Sequence, residues 1–189
     1  GFRLAFARAA APRLERAAAR FLTQLTAETG IPFSRARASS VGAANLIIDC
    51  AQTTDAPLKL GADESYRLQI NVEQARLTAP TINGVLRGLQ TFQQLVTVDA
   101  KGFSAASVII EDSPRFPWRG LLIDVTSHFM PVPVIERTLD AMEAVKLNVF
   151  HWHLTDDQGF RVESKVFPKL HTLGTEGDFY TQAEIRHIV

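Results

Sequence analysis

The stretch NVFHWHLTDDQGFR, Asn148 to Arg161, opens as an apolar strand and breaks at once into a polar knot, Thr155-Asp156-Asp157-Gln158-Gly159. His151 and His153 stand two residues apart, so on a strand they share one face and Trp152 takes the other. Upstream, PVPVIERTLDAMEAVKLN places Ile135, Leu139, Met142 and Val145 on one helical stripe behind Pro131 and Pro133. Before that helix comes RGLLIDV, an apolar run without alternation, as a parallel strand buried on both faces requires. Strand, helix and strand make a β-α-β unit, whose crossover is right-handed.

Downstream, TQAEIRHIV carries Thr181 and Glu184 at capping-box spacing, so a second helix begins there. A parallel β/α array that closes into a barrel takes about 250 residues. The residues after 118 supply about a quarter of one, and the chain is expected to be a fragment.

Around EDSPRFPW, Glu111 to Trp118, two prolines in close succession interrupt regular structure and mark a domain boundary. The residues ahead of it predict a small α+β unit. RLERAAARFLTQLTAETG puts Leu14, Ala18, Phe21, Leu22 and Leu25 on one helical face, ended by Gly30 and Pro32. NLIID is a short buried strand, and ESYRLQINV alternates, with Tyr66, Leu68, Ile70 and Val72 facing one way. ARLTA follows within hairpin reach. NGVLRGLQTFQQLV then resumes helical spacing through Val85, Leu86, Leu89, Phe92 and Val96. Strands near Val96–Val98 and Val108–Ile110 flank the turn DAKG. One antiparallel or mixed sheet covered by two helices is the economical arrangement.

Twenty basic residues balance twenty acidic ones, so no global field favours nucleic acid or an anionic membrane. No apolar run approaches the roughly 20 residues of a membrane span. The single cysteine, Cys50, excludes an internal disulfide and reads as a small buried hydrophobe rather than a nucleophile.

In β/α architectures function gathers at the carboxyl ends of strands. Both strands end in polar clusters: Asp124, Thr126, Ser127 and His128 after the first, and the Asp156 region after the second. His151 and His153 could ligate a metal in a barrel hydrolase, or simply pack with their rings hydrogen-bonded; two further ligands are not identifiable. Asp156 and Asp157 could cap the turn at Gln158-Gly159, or one of them could enter a pocket. Arg119 could pair with Asp124 or Asp156, or offer its fork of donors to a polar ligand.

From about Ser113 to Val189 the motifs PRF..RG..ID, HF.P, D.M...K.N..HWHL.DDQ..R and FP.L occur in order. This segment resembles the start of the catalytic barrel of glycoside hydrolase family 20, the β-N-acetylhexosaminidases. ESYRLQI and GVLRGLQTFQQL resemble that family's accessory domain. The resemblance implies an α+β N-terminal domain, a sheet covered by two helices, over residues 1–112. The first β/α units of a truncated TIM (β/α)8 barrel follow over residues 113–189.

It further implies cleavage of terminal N-acetylglucosamine or N-acetylgalactosamine from glycoconjugates or chitin oligosaccharides, without a cofactor or metal, by a periplasmic or secreted enzyme. In the family the substrate's own acetamido oxygen attacks the anomeric carbon, outside the two-carboxylate scheme. The position matching Arg119 is expected to bind sugar hydroxyls. The position matching Asp156 is expected to support the catalytic acid through a histidine of a later strand. His151, Trp152 and His153 are expected in the pocket wall. The acid is the glutamate of an Asp-Glu pair on the fourth strand; here the only such pair, Asp63-Glu64, lies in the first domain and receives no role. One departure stands out: the family usually has arginine where this chain has Ser127. The two readings set against this one are a metal-dependent barrel hydrolase using His151 and His153, and a non-catalytic carbohydrate-binding protein.

Overall fold

The computed structural model describes residues 2–33, 38–56, 59–100 and 102–189. The chain divides into two compact units, Gly1–Pro117 and Trp118–Val189.

The first unit is built from strands β1 (Leu4–Phe6), β2 (Leu46–Cys50), β3 (Tyr66–Ile70), β4 (Ala75–Ala79), β5 (Val96–Asp99), β6 (Gly102–Ala105) and β7 (Val108–Asp112). Its helices are α1 (Pro12–Thr29) and α2 (Ile82–Gln94). Five strands form one mixed sheet in the order β1-β2-β4-β3-β7, with β1, β2 and β4 parallel and β3 antiparallel to both β4 and β7. Alternation sorts the sheet's two faces. Leu46, Ile48, Leu68, Leu77 and their neighbours pack under Leu14, Phe21 and Leu25 of α1 and Val85, Leu89 and Phe92 of α2. The opposite face buries Ala5 and Ile47 with Ala44 and is otherwise wet, with Arg67 paired to Glu111 and Arg76 Nη1 3.3 Å from Asp49.

Local chemistry explains the boundaries. Pro12 opens α1, where its missing N–H costs nothing, and Gly30 closes the helix at φ 70°, a conformation that suits glycine. Val72 departs from the expected alternation and is 97 % exposed, because β3 stops at Ile70. Asn71 Oδ1 accepts the backbone N–H groups of Glu73 and Gln74 at 2.9 and 2.8 Å and turns the chain into β4. The strand at Val96 pairs across its turn with β6, apart from the main sheet, while β7 returns to pair with β3. DAKG therefore joins β5 to β6 rather than to the strand at Val108; Lys101 of that turn lies outside the described residues. Cys50 is buried, and burial pushes its thiol pKa up, which suits a hydrophobe.

The second unit runs β8 (Gly120–Asp124), α3 (Val132–Ala144), β9 (Val149–His153), β10 (Thr155–Asp156), β11 (Gly159–Phe160), α4 (Lys169–Leu173) and α5 (Gln182–Ile188). β8 and β9 are parallel, in register from Gly120 opposite Val149 to Asp124 opposite His153. Val125, Ile135 and Tyr180 form the core, with Ile123, Leu139, Phe150, Trp152 and Ile185 packed on it. The capping box of Thr181 and Glu184 is present at the start of α5. Two expectations change. Val145 is 66 % exposed because α3 ends before it. The N–H of Lys146 reaches Glu143 O at 2.9 Å and that of Leu147 reaches Met142 O at 2.8 Å, a Schellman closure with Lys146 at φ 60°. And β8 is not buried on both faces, since Leu122 is 54 % exposed.

Candidate functional site

Chain direction and register bring the polar ends of β8 and β9 together. Asp124 and His153 are register partners, as are Leu122 and His151, so these four side chains share one face. The His151 and His153 rings meet edge to face with centroids 5.8 Å apart.

Asp124 is consumed by its own loop. Oδ1 accepts the Thr126 N–H at 2.8 Å and the Thr126 hydroxyl at 2.6 Å, and Oδ2 accepts the Ser127 hydroxyl at 2.7 Å. These donors, the Ser127 and Thr126 hydroxyls foremost, hold the carboxyl well below the usual carboxylate range.

Asp156 is poised differently. Oδ2 lies 2.9 Å from His153 Nε2, and Oδ1 accepts the Asp157 N–H at 2.8 Å. The hydrogen bond from His153, and then that from the Asp157 backbone, lower its pKa. Asp157 is exposed and gives its backbone N–H to this arrangement. The turn and the histidine thus both bind one carboxylate.

Arg161 was given no role by sequence, yet it ties the site together. Its Nε and Nη2 donate to the carbonyls of Val125 and Thr126 at 3.0 and 3.1 Å, and Nη1 donates to Asp178 O at 2.9 Å. The guanidinium also sits 5.7 Å from the Phe129 ring centre. No local pattern announces this, because the partners are backbone carbonyls far away in sequence. Gly159 belongs to the same arrangement: a Cβ there would stand 3.1 Å from Thr126 O, so the hairpin approaches that loop closely. A polar cleft of about 410 Å³ lies alongside, lined by Thr126, Ser127, Gln158, Arg161, Thr175 and Asp178 among others.

Trp152 and Arg119 lie away from the His153–Asp156 pair. Trp152 takes the face opposite the histidines, with its ring 4.4 Å from that of Tyr180. Arg119 precedes β8, at the amino end of the strand pair. Its Nε donates to Lys146 O at 2.8 Å, and its backbone N–H donates to Asn148 Oδ1 at 2.9 Å. The five steps from Arg119 to Asp124 cover about 16 Å of strand at about 3.3 Å each, beyond the span of one side chain. Among the described residues no group of three or more His, Cys, Asp or Glu is placed to hold a metal ion. No helix among them is long and apolar enough to cross a membrane.

Comparison with known proteins agrees with this architecture. Residues 116–189 match the catalytic domain of glycosyl hydrolase family 20, and residues 5–95 match the beta-acetyl hexosaminidase-like domain. The chain belongs to glycosyl hydrolase family 20. It is similar to the β-hexosaminidase subunit beta of Mus musculus, at 46 % identity over 133 residues, 69 % of this chain and 25 % of that protein. Among solved structures it is similar to the Flavobacterium johnsoniae chitobiase, with TM-score 0.91 and 42 % identity, covering 99 % of this chain and 29 % of that one. A mutant Streptomyces plicatus β-hexosaminidase in complex with the product GlcNAc aligns with TM-score 0.79 and 30 % identity, over 100 % of this chain and 38 % of that one. The chain thus spans about a quarter of the length of the curated relatives it matches.

Proposed function

We propose that this chain is part of a β-N-acetylhexosaminidase that removes terminal N-acetylglucosamine or N-acetylgalactosamine by substrate-assisted, retaining hydrolysis. One observation carries the reading: the two family domains follow each other in one chain in the order expected, accessory domain then catalytic domain. In this reading residues 1–112 are the accessory domain, and residues 113–189 are the first β/α units of a (β/α)8 barrel. The sugar lies over the carboxyl edge of β8 and β9. Asp156 supports the proton donor, and His151 and His153 line the wall. Arg119, which engages Lys146, fastens the far end of the strands.

The proton donor comes from residues other than the Asp63-Glu64 pair. Asp63 accepts the Ser65 N–H at 2.8 Å, and Glu64 is buried against Arg87 Nε at 2.5 Å, so both serve the first unit. General acid catalysis is typically worth about 10²–10⁴-fold, and the 189 residues alone should therefore turn over slowly or not at all. The test is nitrophenol release from an aryl N-acetylglucosaminide. The protein that carries this chain within a full barrel should hydrolyse it, and the 189 residues should not. Turnover by the 189 residues at the rate of a complete enzyme would overturn the reading, and so would stoichiometric zinc required for activity.

A further inference from the structure

Asp156 lies in a two-residue strand, β10, that hangs on a hairpin, whereas His153 ends a strand paired along its length. The carbonyl of His153 accepts the Val125 N–H at 3.2 Å, its ring abuts that of His151, and its register partner is Asp124. The rigid partner is therefore the histidine. Resting on the hexosaminidase reading, we infer that His153 is a positioning residue: its ring N–H at Nε2 grips Asp156 Oδ2 at 2.9 Å and aims the carboxylate.

The proton assignment follows from the acceptor. Asp156 is held below its ordinary range and is ionised at neutral pH, so it can only accept, and Nε2 must donate. An ionised carboxylate has about four lone-pair sites. His153 fills one on Oδ2 and the Asp157 N–H fills one on Oδ1. The carboxylate therefore keeps acceptor capacity for a donor from another element. Without His153 the carboxylate keeps a single backbone anchor and swings about its χ angles. Site groups need support of this kind to hold geometry within about 0.5 Å. The other ionisable groups beside the pair are Asp157, next in the chain to Asp156, Asp124, bound within its own loop, and His151 on the same face.

The experiment pairs His153→Phe, which keeps a ring against His151 but has no N–H, with His153→Gln, which keeps a donor. Asp156→Asn and the double variant His153→Phe/Asp156→Asn complete a cycle. In the full enzyme, His153→Phe should lower kcat about tenfold and leave KM within about twofold, the loss of one hydrogen bond to a charged group. The acidic limb of the pH profile should move to higher pH, because Asp156 loses the donor that keeps it ionised. Gln should recover most of the loss, and the double variant should be no worse than Asp156→Asn alone. A ¹³C carboxyl titration of Asp156 reads the same link without activity: its midpoint should rise in His153→Phe and stay near the parent's in His153→Gln. An unmoved Asp156 midpoint, or losses that multiply in the double variant, overturns the inference. An inactive parent enzyme would overturn the hexosaminidase reading instead, and the carboxyl titration would still decide whether His153 holds Asp156.

Discussion

A β-carbon on Gly84 would stand 2.1 Å from the carbonyl oxygen of Ser65. The first turn of α2 therefore rests directly on backbone, and only a residue without a side chain fits. Gly88, one turn on, faces the Leu77 side chain in the same way, with a Cβ 2.2 Å from Cδ1. Glycine inside a helix ordinarily costs about 1 kcal/mol relative to alanine, so Gly84→Ala would stabilise an exposed helix. Here overpacking, about 1–3 kcal/mol, outweighs that gain, because a carbonyl cannot step aside as a leucine methyl can. Thermal unfolding should show Gly84→Ala destabilised and Gly88→Ala less so; a stabilised Gly84→Ala would mean that α2 stands off the sheet.

The Glu64–Arg87 pair gives a second stability test. Both side chains are largely buried, at 6 and 14 % exposure. Removing one partner strands a charge away from water, which costs about 3–5 kcal/mol, whereas an apolar pair of similar volume is often neutral. Glu64→Ala should unfold at markedly lower denaturant concentration, and Glu64→Leu/Arg87→Met should regain most of the difference. Equal losses in the single and double variants would show that the ion pair itself stabilises the unit.

Much of this was legible in the chain because periodicity reports burial. The faces of α1 and α2, the alternation of β3 and the β8-α3-β9 unit follow from where apolar residues fall. What escaped was set by long-range or backbone partners. β1 is three residues long and shows no period, and β6 carries too little apolar material to compete with Val108–Ile110. Asp156 and His153 could be named from the polar break after the strand, yet their contact depends on the hairpin that turns Asp156 back. Arg161 donates its guanidinium N–H groups to main-chain carbonyls, and carbonyls carry no side-chain signature.

The loop after β8 should loosen in acid. Asp124 has its pKa lowered by the Ser127 and Thr126 hydroxyls. A group depressed in the folded state stabilises above its unfolded pKa and loses that contribution as pH falls through the folded value. Protection of the Thr126 and Ser127 amides against hydrogen exchange should therefore hold from neutral pH down to the ordinary carboxylate range and fall progressively as pH drops from there towards the lower folded value. Asp124→Asn should lower that protection at neutral pH. Amides equally protected in the variant would show that the carboxylate does not organise the loop.

Arg119 separates sugar binding from strand fastening. The resemblance gives its position to substrate hydroxyls, while the structure has its Nε on Lys146 O and its backbone N–H on Asn148 Oδ1. Those contacts brace the turn between α3 and β9, where Lys146 holds a left-handed φ of 60° that costs a non-glycine residue about 1 kcal/mol. If Arg119 is a brace, Arg119→Ala loses the side-chain hydrogen bond to Lys146 O, about 1 kcal/mol of stability, and exchange protection falls at Asn148 and Val149, whose N–H groups reach Arg119 O at 2.9 and 3.3 Å. KM for an aryl N-acetylglucosaminide in the full enzyme should stay within about twofold of the parent's, because removing a group that never touches substrate leaves uniform binding intact. If Arg119 binds the sugar, a charge-assisted hydrogen bond of about 1.5–3 kcal/mol is lost, and kcat/KM falls about tenfold or more with much of the change in KM. The Arg119→Ala enzyme, measured for KM and for unfolding in one preparation, decides between the two: a raised KM at unchanged stability would return this residue to the sugar.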